Sequence, residues 1–471
     1  MMASLLRWQV YKTNSLTNLK NNAGVLEVVP MIKQIFTTSA LALAVSVACV
    51  GIDRAAPSLS LTSAALAQDD GAKKERETRR TPALRNKVYE KLAEAQTAAE
   101  AKDYATAKAV LNEMIAGEGK RALNSYELAN VYNLYAFLSY SEEDFDGALR
   151  YYEQVVAQPD IPLAMEINTK FTIAQLYFVQ EKWQQGIDAL KAWFALTDKP
   201  NANAYVLLSQ GYYQTKQYDL ALENVEIAIK MYEDEGKLPK EQWYNLARFL
   251  YFDRGDVDNA LATLQILLKY YPKKQYWVQA SHLYGEKKDD ARQLAMMETA
   301  YEQGMLDKST DLVTMAYLYL NAEVPYPAAR VMEKGFADGI VEDKSKNYEL
   351  TGNAWRQAQE TKKSIPMMEK AAAKSEEGEL YARLGNVYLD GDQNEKAVEA
   401  VRKGLAKGGV KRPDQARLVL GMAYFNLGDY EEARKAFRAA AKDDRSKKYA
   451  QQWLQYISSE QERQEQLEKE V

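Results

Sequence analysis

The sequence has one cysteine and one histidine in 471 residues, and each scarcity excludes chemistry. The single cysteine, Cys49, cannot form an internal disulfide framework. Ser46-Val47-Ala48-Cys49 lacks the leucine three places before the cysteine that a lipoprotein box uses, so lipid anchoring at Cys49 is not expected. The single histidine, His282, rules out every histidine-based triad not centred on it, and most zinc sites. It falls in an apolar-periodic stretch beside Ser281, which reads as a partly exposed helical position. Glycine is too thinly spread to form a phosphate-cradling loop, and no Walker pattern is present. Carboxylate pairs such as Asp289-Asp290 and Glu376-Glu377 fall at predicted turns and helix starts, where solvated charges are ordinary. No cofactor, metal or catalytic constellation emerges, and the chain does not read as an enzyme. An excess of basic charge is also missing: 61 Lys and Arg stand against 66 Asp and Glu. From Gln68 onward the counts are 56 and 64, a net charge of −8. That balance argues against sequence-independent nucleic-acid binding.

What the sequence does have is a repeated pattern. Residues 413–442 read as two short helices and a turn. The first carries Leu418, Leu420, Met422, Tyr424 and Phe425. Asn426-Leu427-Gly428-Asp429 breaks it, and Tyr430, Ala433, Phe437 and Ala440 follow. Ala433, Phe437 and Ala440 lie at i, i+4 and i+7, one face of a helix. Small residues, Gly421 and Ala433, fall where the two helices press closest. Neither helix can bury its apolar face alone, so the pair needs neighbours of its own kind. The pattern recurs as Tyr381, Leu384, Gly385, Tyr388, Ala397, Val401 and Gly404. It recurs again as Tyr205, Ser209, Tyr212, Ala221, Val225 and Ala228. Weaker copies include Tyr348, Gly352, Trp355 and Met368, where Ser364 replaces the first small residue of the second helix. In the copy built on Trp243, Leu246, Ala260 and Leu264, one residue is inserted between the helices. The anchors step by roughly 33 to 41 residues, against about 34 for one helix–turn–helix unit.

These residues resemble the tetratricopeptide repeat (TPR) family, with its large residue, Leu-Gly step and Tyr on helix A and its Ala-aromatic-Ala on helix B. About ten copies in register cover most of the chain. The resemblance implies an all-α fold: a right-handed superhelical solenoid of about ten helix pairs over residues 83–445. Residues 446–471 read as a capping helix and charged tail. Tyr449, Trp453 and Ile457 cover the last repeat, and fraying is expected from Ser458 onward, where Gln and Glu dominate.

Residues 1–30 show no clear periodicity and read as an upstream annotation artefact ahead of Met31. Residues 31–67 read as a secretory signal: Lys33, the apolar run 35–50, then Ala65-Leu66-Ala67 as an A-x-A cleavage site. The run is too short to span a membrane comfortably. Residues 68–82 read as a flexible charged leader. A soluble periplasmic chain beginning at Gln68, with no membrane span, is the expectation.

With 32 tyrosines, rings are left over after the repeat cores are counted. One place after the core Tyr, the sequence spacing puts Tyr140, Phe178, Tyr213 and Tyr251 in four successive repeats. Phe137, Phe171 and Tyr244 lie on neighbouring faces, with Gln175 and Gln210 interleaved. A stripe of rings and amides on helix A suits a concave peptide groove, with area from the rings and orientation from the amides. The same spacing also suits rings packed between adjacent repeats, and the two readings stand side by side here.

Residues 79–96, RRTPALRNKVYEKLAEAQ, are similar to one group within the family: exported TPR proteins associated with a second type of TonB–ExbB–ExbD energy-transduction system in marine gammaproteobacteria. That resemblance implies a non-catalytic periplasmic scaffold for a TonB-dependent uptake system. Its partners would be TonB or ExbB and ExbD components, engaged through an extended or proline-rich segment. The alternative is a TPR assembly factor for envelope polymer export or outer-membrane assembly.

Overall fold

The structure is a computed structural model that describes residues 82–470. The signal, the cleavage site, Cys49 and nearly all of the leader lie outside the described residues. The described chain is all-α. Ten helix pairs follow in order: α1 (Asn86–Glu100) with α2 (Tyr104–Ile115), α3 (Ser125–Ser141) with α4 (Phe145–Ala157), α5 (Leu163–Val179) with α6 (Trp183–Phe194), α7 (Ala202–Gln214) with α8 (Tyr218–Asp234), and α9 (Glu241–Asp253) with α10 (Val257–Tyr270). The later pairs are α11 (Lys274–Glu286) with α12 (Asp290–Glu302), α13 (Ser309–Asn321) with α14 (Pro325–Ala337), α15 (Ser345–Gln357) with α16 (Thr361–Ala373), α17 (Glu379–Asp390) with α18 (Asn394–Lys407), and α19 (Pro413–Asn426) with α20 (Tyr430–Ala440). A last helix, α21 (Asp444–Glu470), closes the chain. The described residues divide into two compact units, one ending at residue 263 and the other beginning at residue 264.

One device makes all ten turns inside the pairs. The first helix of each pair ends in a residue with left-handed backbone: Lys102, Glu143, Glu181, Lys216, Gly255, Lys288, Glu323, Gln359, Asp392 and Gly428. The next amide then reaches back to the carbonyl five residues earlier, as Gln217 N does to Tyr212 O and Gln393 N to Tyr388 O, both at 2.8–2.9 Å. This Schellman closure satisfies carbonyls that the helix end would orphan. Five of the second helices begin on an aspartate cap, Asp103, Asp144, Asp256, Asp289 and Asp429, whose carboxylate accepts an N–H of the first turn. Pro325-Tyr326-Pro327 opens α14, with Pro325 in the first turn where its missing N–H costs nothing.

The small residues lie where the helices meet. Ala148, Ala221, Ala397 and Ala433 are fully buried. A Cβ on Gly421 would stand 2.7 Å from the Phe437 ring, so α19 and α20 approach too closely for a side chain there. Where serine replaces a small apolar residue, its hydroxyl donates to a carbonyl across the pair. Ser364 Oγ reaches Gly352 O at 2.7 Å, and Ser209 Oγ reaches Ala221 O at 2.6 Å. A buried hydroxyl therefore keeps a partner, which removes the penalty of an unpaired one.

Successive pairs are stitched by a second recurrent bond. The ring residue whose carbonyl closes the turn donates from its tip to the preceding second helix. Tyr388 Oη donates to Glu369, Trp355 Nε1 to Glu333 at 3.0 Å, and Tyr251 Oη to Glu226. At the C-terminus, α21 lays Ala450 and Ile457 against Ala433 and Phe437, with Trp453 stacked on Phe437 at 5.4 Å. The helix runs on to Glu470, past the point where fraying was expected. Arg463 with Glu460 at 2.6 Å, spaced i, i+3, supports the charged turn. No helix of the described residues is long and apolar enough to cross a membrane.

Candidate protein-binding face of the N-terminal unit

All nine residues of the candidate groove lie in the unit that ends at residue 263, on α3, α5, α7 and α9. The structure sorts them into two groups. Phe137, Tyr140, Phe171, Tyr213 and Tyr251 are half-buried. Phe178, Tyr244, Gln175 and Gln210 are buried.

Phe178 is enclosed completely, at 0 % exposure. Two glycines make its space. A Cβ on Gly186 would meet the Phe178 ring at 3.0 Å, and one on Gly211 would meet it at 2.6 Å. Gly186 belongs to the partner helix of the same pair and Gly211 to the first helix of the next. Phe178 is therefore packed between repeats and offers no surface to a partner.

Tyr140 and Tyr213 occupy the same place relative to the turn but keep an open edge. Each is braced by the aromatic residue that starts the second helix: Tyr140 on Phe145 at 5.6 Å between ring centroids, Tyr213 on Tyr218 at 5.8 Å. Tyr213 also meets Phe249 of the next pair edge-on at 5.6 Å. Such tilted and edge-on pairs hold a ring in one orientation beyond what its burial gives. Burial raises both phenols above the ordinary tyrosine value, so they stay neutral hydroxyls at physiological pH.

Tyr251 needs a correction. Counted forward from the Leu-Gly step it matches Tyr213, but its carbonyl accepts the turn-closing bond from Asp256 N, the role Tyr212 plays in the pair before. It therefore stands one place earlier, rotated toward α8, and its hydroxyl donates to Glu226 there. Burial first, and then Glu226, drive that phenol well above its usual range. Three residues join α9 to α10, as they join α7 to α8, so the extra residue read from sequence between the helices lies within α9, ahead of Tyr251, and it moved the register. Phe252, half-buried, takes the fourth place in the row.

The flanking residues divide in the same way. Tyr244 is buried and donates to Glu233 at 2.8 Å. Phe171 lies 4.8 Å from Trp193, inside a chain of rings that continues through Phe194 to Tyr205. Two amides that the sequence reading passed over are exposed. Asn168 and Asn203 stand six residues before Ala174 and Ser209, at equal offsets in adjacent repeats. The signal for them was the repeat spacing itself, applied at the start of helix A.

The corresponding helices of the C-terminal unit carry a different surface. Arg383 pairs with Glu349 at 2.5 Å and Arg356 with Asp390 at 2.6 Å, each tie spanning one repeat. His282 is a quarter exposed and faces Glu286 at 3.4 Å on its own helix. Among the described residues, no group of three or more His, Cys, Asp or Glu could hold a metal ion.

Two segments, residues 382–448 and 243–274, match models of the tetratricopeptide repeat. No curated protein matches the sequence. Solved structures that resemble it include the MamA protein (20 % identity, TM-score 0.32, covering 37 % of this chain and 93 % of that one). Another is YrrB, titled a TPR protein with an unusual peptide-binding site (17 %, 0.32, 41 % and 91 %). A third is a tetratricopeptide repeat protein from Parabacteroides merdae ATCC 43184 (13 %, 0.32, 56 % and 99 %). The two matched segments are therefore tetratricopeptide repeats, and the ten helix pairs of the described residues repeat the same helix–turn–helix unit.

Proposed function

We propose that this protein is a non-catalytic scaffold whose N-terminal unit grips an extended segment of another protein. The observation that carries the reading is the pair Tyr140 and Tyr213. They are half-buried rings at one turn position, each locked by a neighbouring ring and each with an open edge. Preset rings lose little freedom when a ligand docks, which is where peptide affinity is usually dissipated. A proline-rich segment fits such rings, because its extended helix is formed before binding. Exposed Asn168 and Asn203 supply amides to orient its backbone.

The finer reading follows the resemblance of residues 79–96. It puts the protein in the periplasm, as an accessory of a TonB-dependent uptake system. Its ligand there is the proline-rich stretch of TonB. A TPR assembly factor for envelope polymer export is the second reading.

The test is Tyr140→Ala with Tyr213→Ala, read by melting temperature and by pull-down of a TonB periplasmic region. A fully buried ring costs about 3–5 kcal/mol when cut to alanine, and half-buried rings should cost roughly half of that each. The expected variant stays folded and loses TonB. A variant that folds and still binds TonB removes the groove. Capture of export-machinery proteins in place of TonB, abolished by the same variant, keeps the groove and moves the protein to the second reading.

A further inference from the structure

The exposed side of the second helices changes character near the C-terminus. The caps of α16, α18 and α20 are Glu360, Gln393 and Asp429, which puts the three helices in one register. Nine residues past the cap stand Glu369, Arg402 and Arg438. Ten past stand Lys370, Lys403 and Ala439. Thirteen past stand Ala373, Ala406 and Lys442, and fourteen past Lys374, Lys407 and Asp443. Lys370, Arg402, Lys403, Lys407, Arg438 and Lys442 are all exposed and enter no ion pair among the described residues. Of the acidic residues at these offsets, Glu369 is engaged by Tyr388 and Asp443 by Arg445 at 2.7 Å. Three of the lysines lie over rings of the same repeats, Lys407 at 5.8 Å from the centre of Tyr381 while it donates to Ser375 O at 2.7 Å. Lys370 lies 5.4 Å from the centre of Tyr348, and Lys403 lies 4.4 Å from that of Tyr381. The same offsets in the N-terminal unit hold Asn112, Glu153, Lys191 and Glu226, then Glu113, Gln154, Ala192 and Ile227, with no such surplus.

We infer that this cationic face binds a surface of anionic lipid headgroups. The composition decides between partners. Protein interfaces are depleted in lysine and anchored by large side chains in pockets. Here long, exposed cations are spaced by Ala373, Ala406 and Ala439, with no exposed large apolar residue at these offsets. That is a diffuse positive field, suited to a fluid layer of headgroups that rearrange to meet it. Equal offsets on successive helices spread the charge over three repeats, so several headgroups are met at once.

The experiment uses the full chain and sedimentation with vesicles of one part phosphatidylglycerol to two parts phosphatidylcholine. Pure phosphatidylcholine vesicles measure any contribution from apolar residues near the N-terminus. Binding to the anionic vesicles is expected at about 50 mM salt, with most of it lost at about 500 mM. Each cation near such a surface contributes roughly fivefold, so Arg402→Gln with Lys403→Gln and Arg438→Gln should weaken partitioning about a hundredfold. These side chains are exposed, and an unchanged melting curve checks that the variant folds. Arg150→Gln with Lys191→Gln and Lys230→Gln removes the same number of charges from the N-terminal unit and should leave binding intact. Three results would overturn the inference: no preference for anionic vesicles, equal weakening by both triple variants, or binding of the wild type to polyglutamate or single-stranded DNA but not to vesicles.

Discussion

At the scale of single residues, Glu127 shows how a buried charge is paired. Its side chain has no exposed surface. Arg85 grips it from two nitrogens, Nε at 2.9 Å and Nη2 at 2.6 Å, and the backbone N–H groups of Arg85 and Asn124 donate as well. Asn124 returns the favour by capping α3 at Glu127 N, which completes a capping box. Arg85 also donates to the carbonyls of Lys120 and Ala122, so one guanidinium ties the chain before α1 to the loop before α3. Burial alone would raise the Glu127 carboxyl. The Arg85 guanidinium and the two backbone N–H groups more than offset it, and the group sits below its ordinary value. A carboxyl whose folded value is depressed contributes stability that is present above the unfolded value and lost as pH falls through the folded one. Glu127→Gln should cost about 1.5–3 kcal/mol at neutral pH, the range for hydrogen bonds to a charged group. Its deficit against wild type should then shrink progressively as pH falls from about 4 through the depressed folded value, where the wild-type carboxylate becomes protonated too. Urea unfolding at both pH values measures this, and a deficit that does not depend on pH would contradict it. Asp414 is the C-terminal counterpart. Arg412 outweighs its burial, Ser446 Oγ donates to it at 2.7 Å, and its carboxyl is held well below the usual range.

At the scale of the helix pair, eight of the ten turns put a side chain into left-handed backbone that glycine would adopt without strain. Only Gly255 and Gly428 use the unstrained residue. The left-handed conformation costs an ordinary residue about 1–2 kcal/mol, and glycine in the unfolded chain gives back roughly half of that in entropy. Lys216→Gly and Lys288→Gly should therefore each stabilise by about 0.5–1 kcal/mol, one in each unit. Both side chains are exposed and have no ion pair to lose among the described residues. Guanidinium midpoints check it, and a loss at both sites would mean the side chains contribute more than the turn strain. Much of the pair was legible beforehand. The small anchors Gly421, Ala433 and Ala397, spaced by the repeat, located the helix contacts correctly, because only small residues let two backbones come this close. The turn chemistry was less legible. Lys, Glu, Gln and Asp at these positions carry no glycine signal, and the closure is set by backbone hydrogen bonds that any residue can make.

For the whole molecule, stability is distributed over neighbouring repeats rather than concentrated in one centre. Ala433 belongs to one core cluster with Phe437 and Ala450, against which Phe425 and Trp453 pack, all within the last pair and its cap. Ala433→Leu should overpack that contact at about 1–3 kcal/mol. Hydrogen exchange should then accelerate first across residues 413–457, while amides of residues 86–157 keep their protection. Uniform acceleration over the described chain would mean a single cooperative unit instead.

The sequence by itself determined the helix pairs, their number and their order. A period of about 34 with small anchors admits one packing of helix on helix, and local chemistry carries that information. It also marked the rings that could not all belong to one pair. Only the tertiary structure decided what each ring does. Phe178 and Tyr213 hold equivalent places, yet Phe178 is sealed in because Gly186 on its partner helix and Gly211 on the next repeat both lack a side chain. Tyr213 has Ala221 at the place of Gly186, meets Phe249 of the next pair edge-on and keeps an edge in solvent. Tyr251 left the row because one inserted residue turned it toward Glu226. Burial of a side chain in a repeat depends on volumes contributed by residues about one repeat away. The period fixes where those neighbours are, and their size is settled only when they pack.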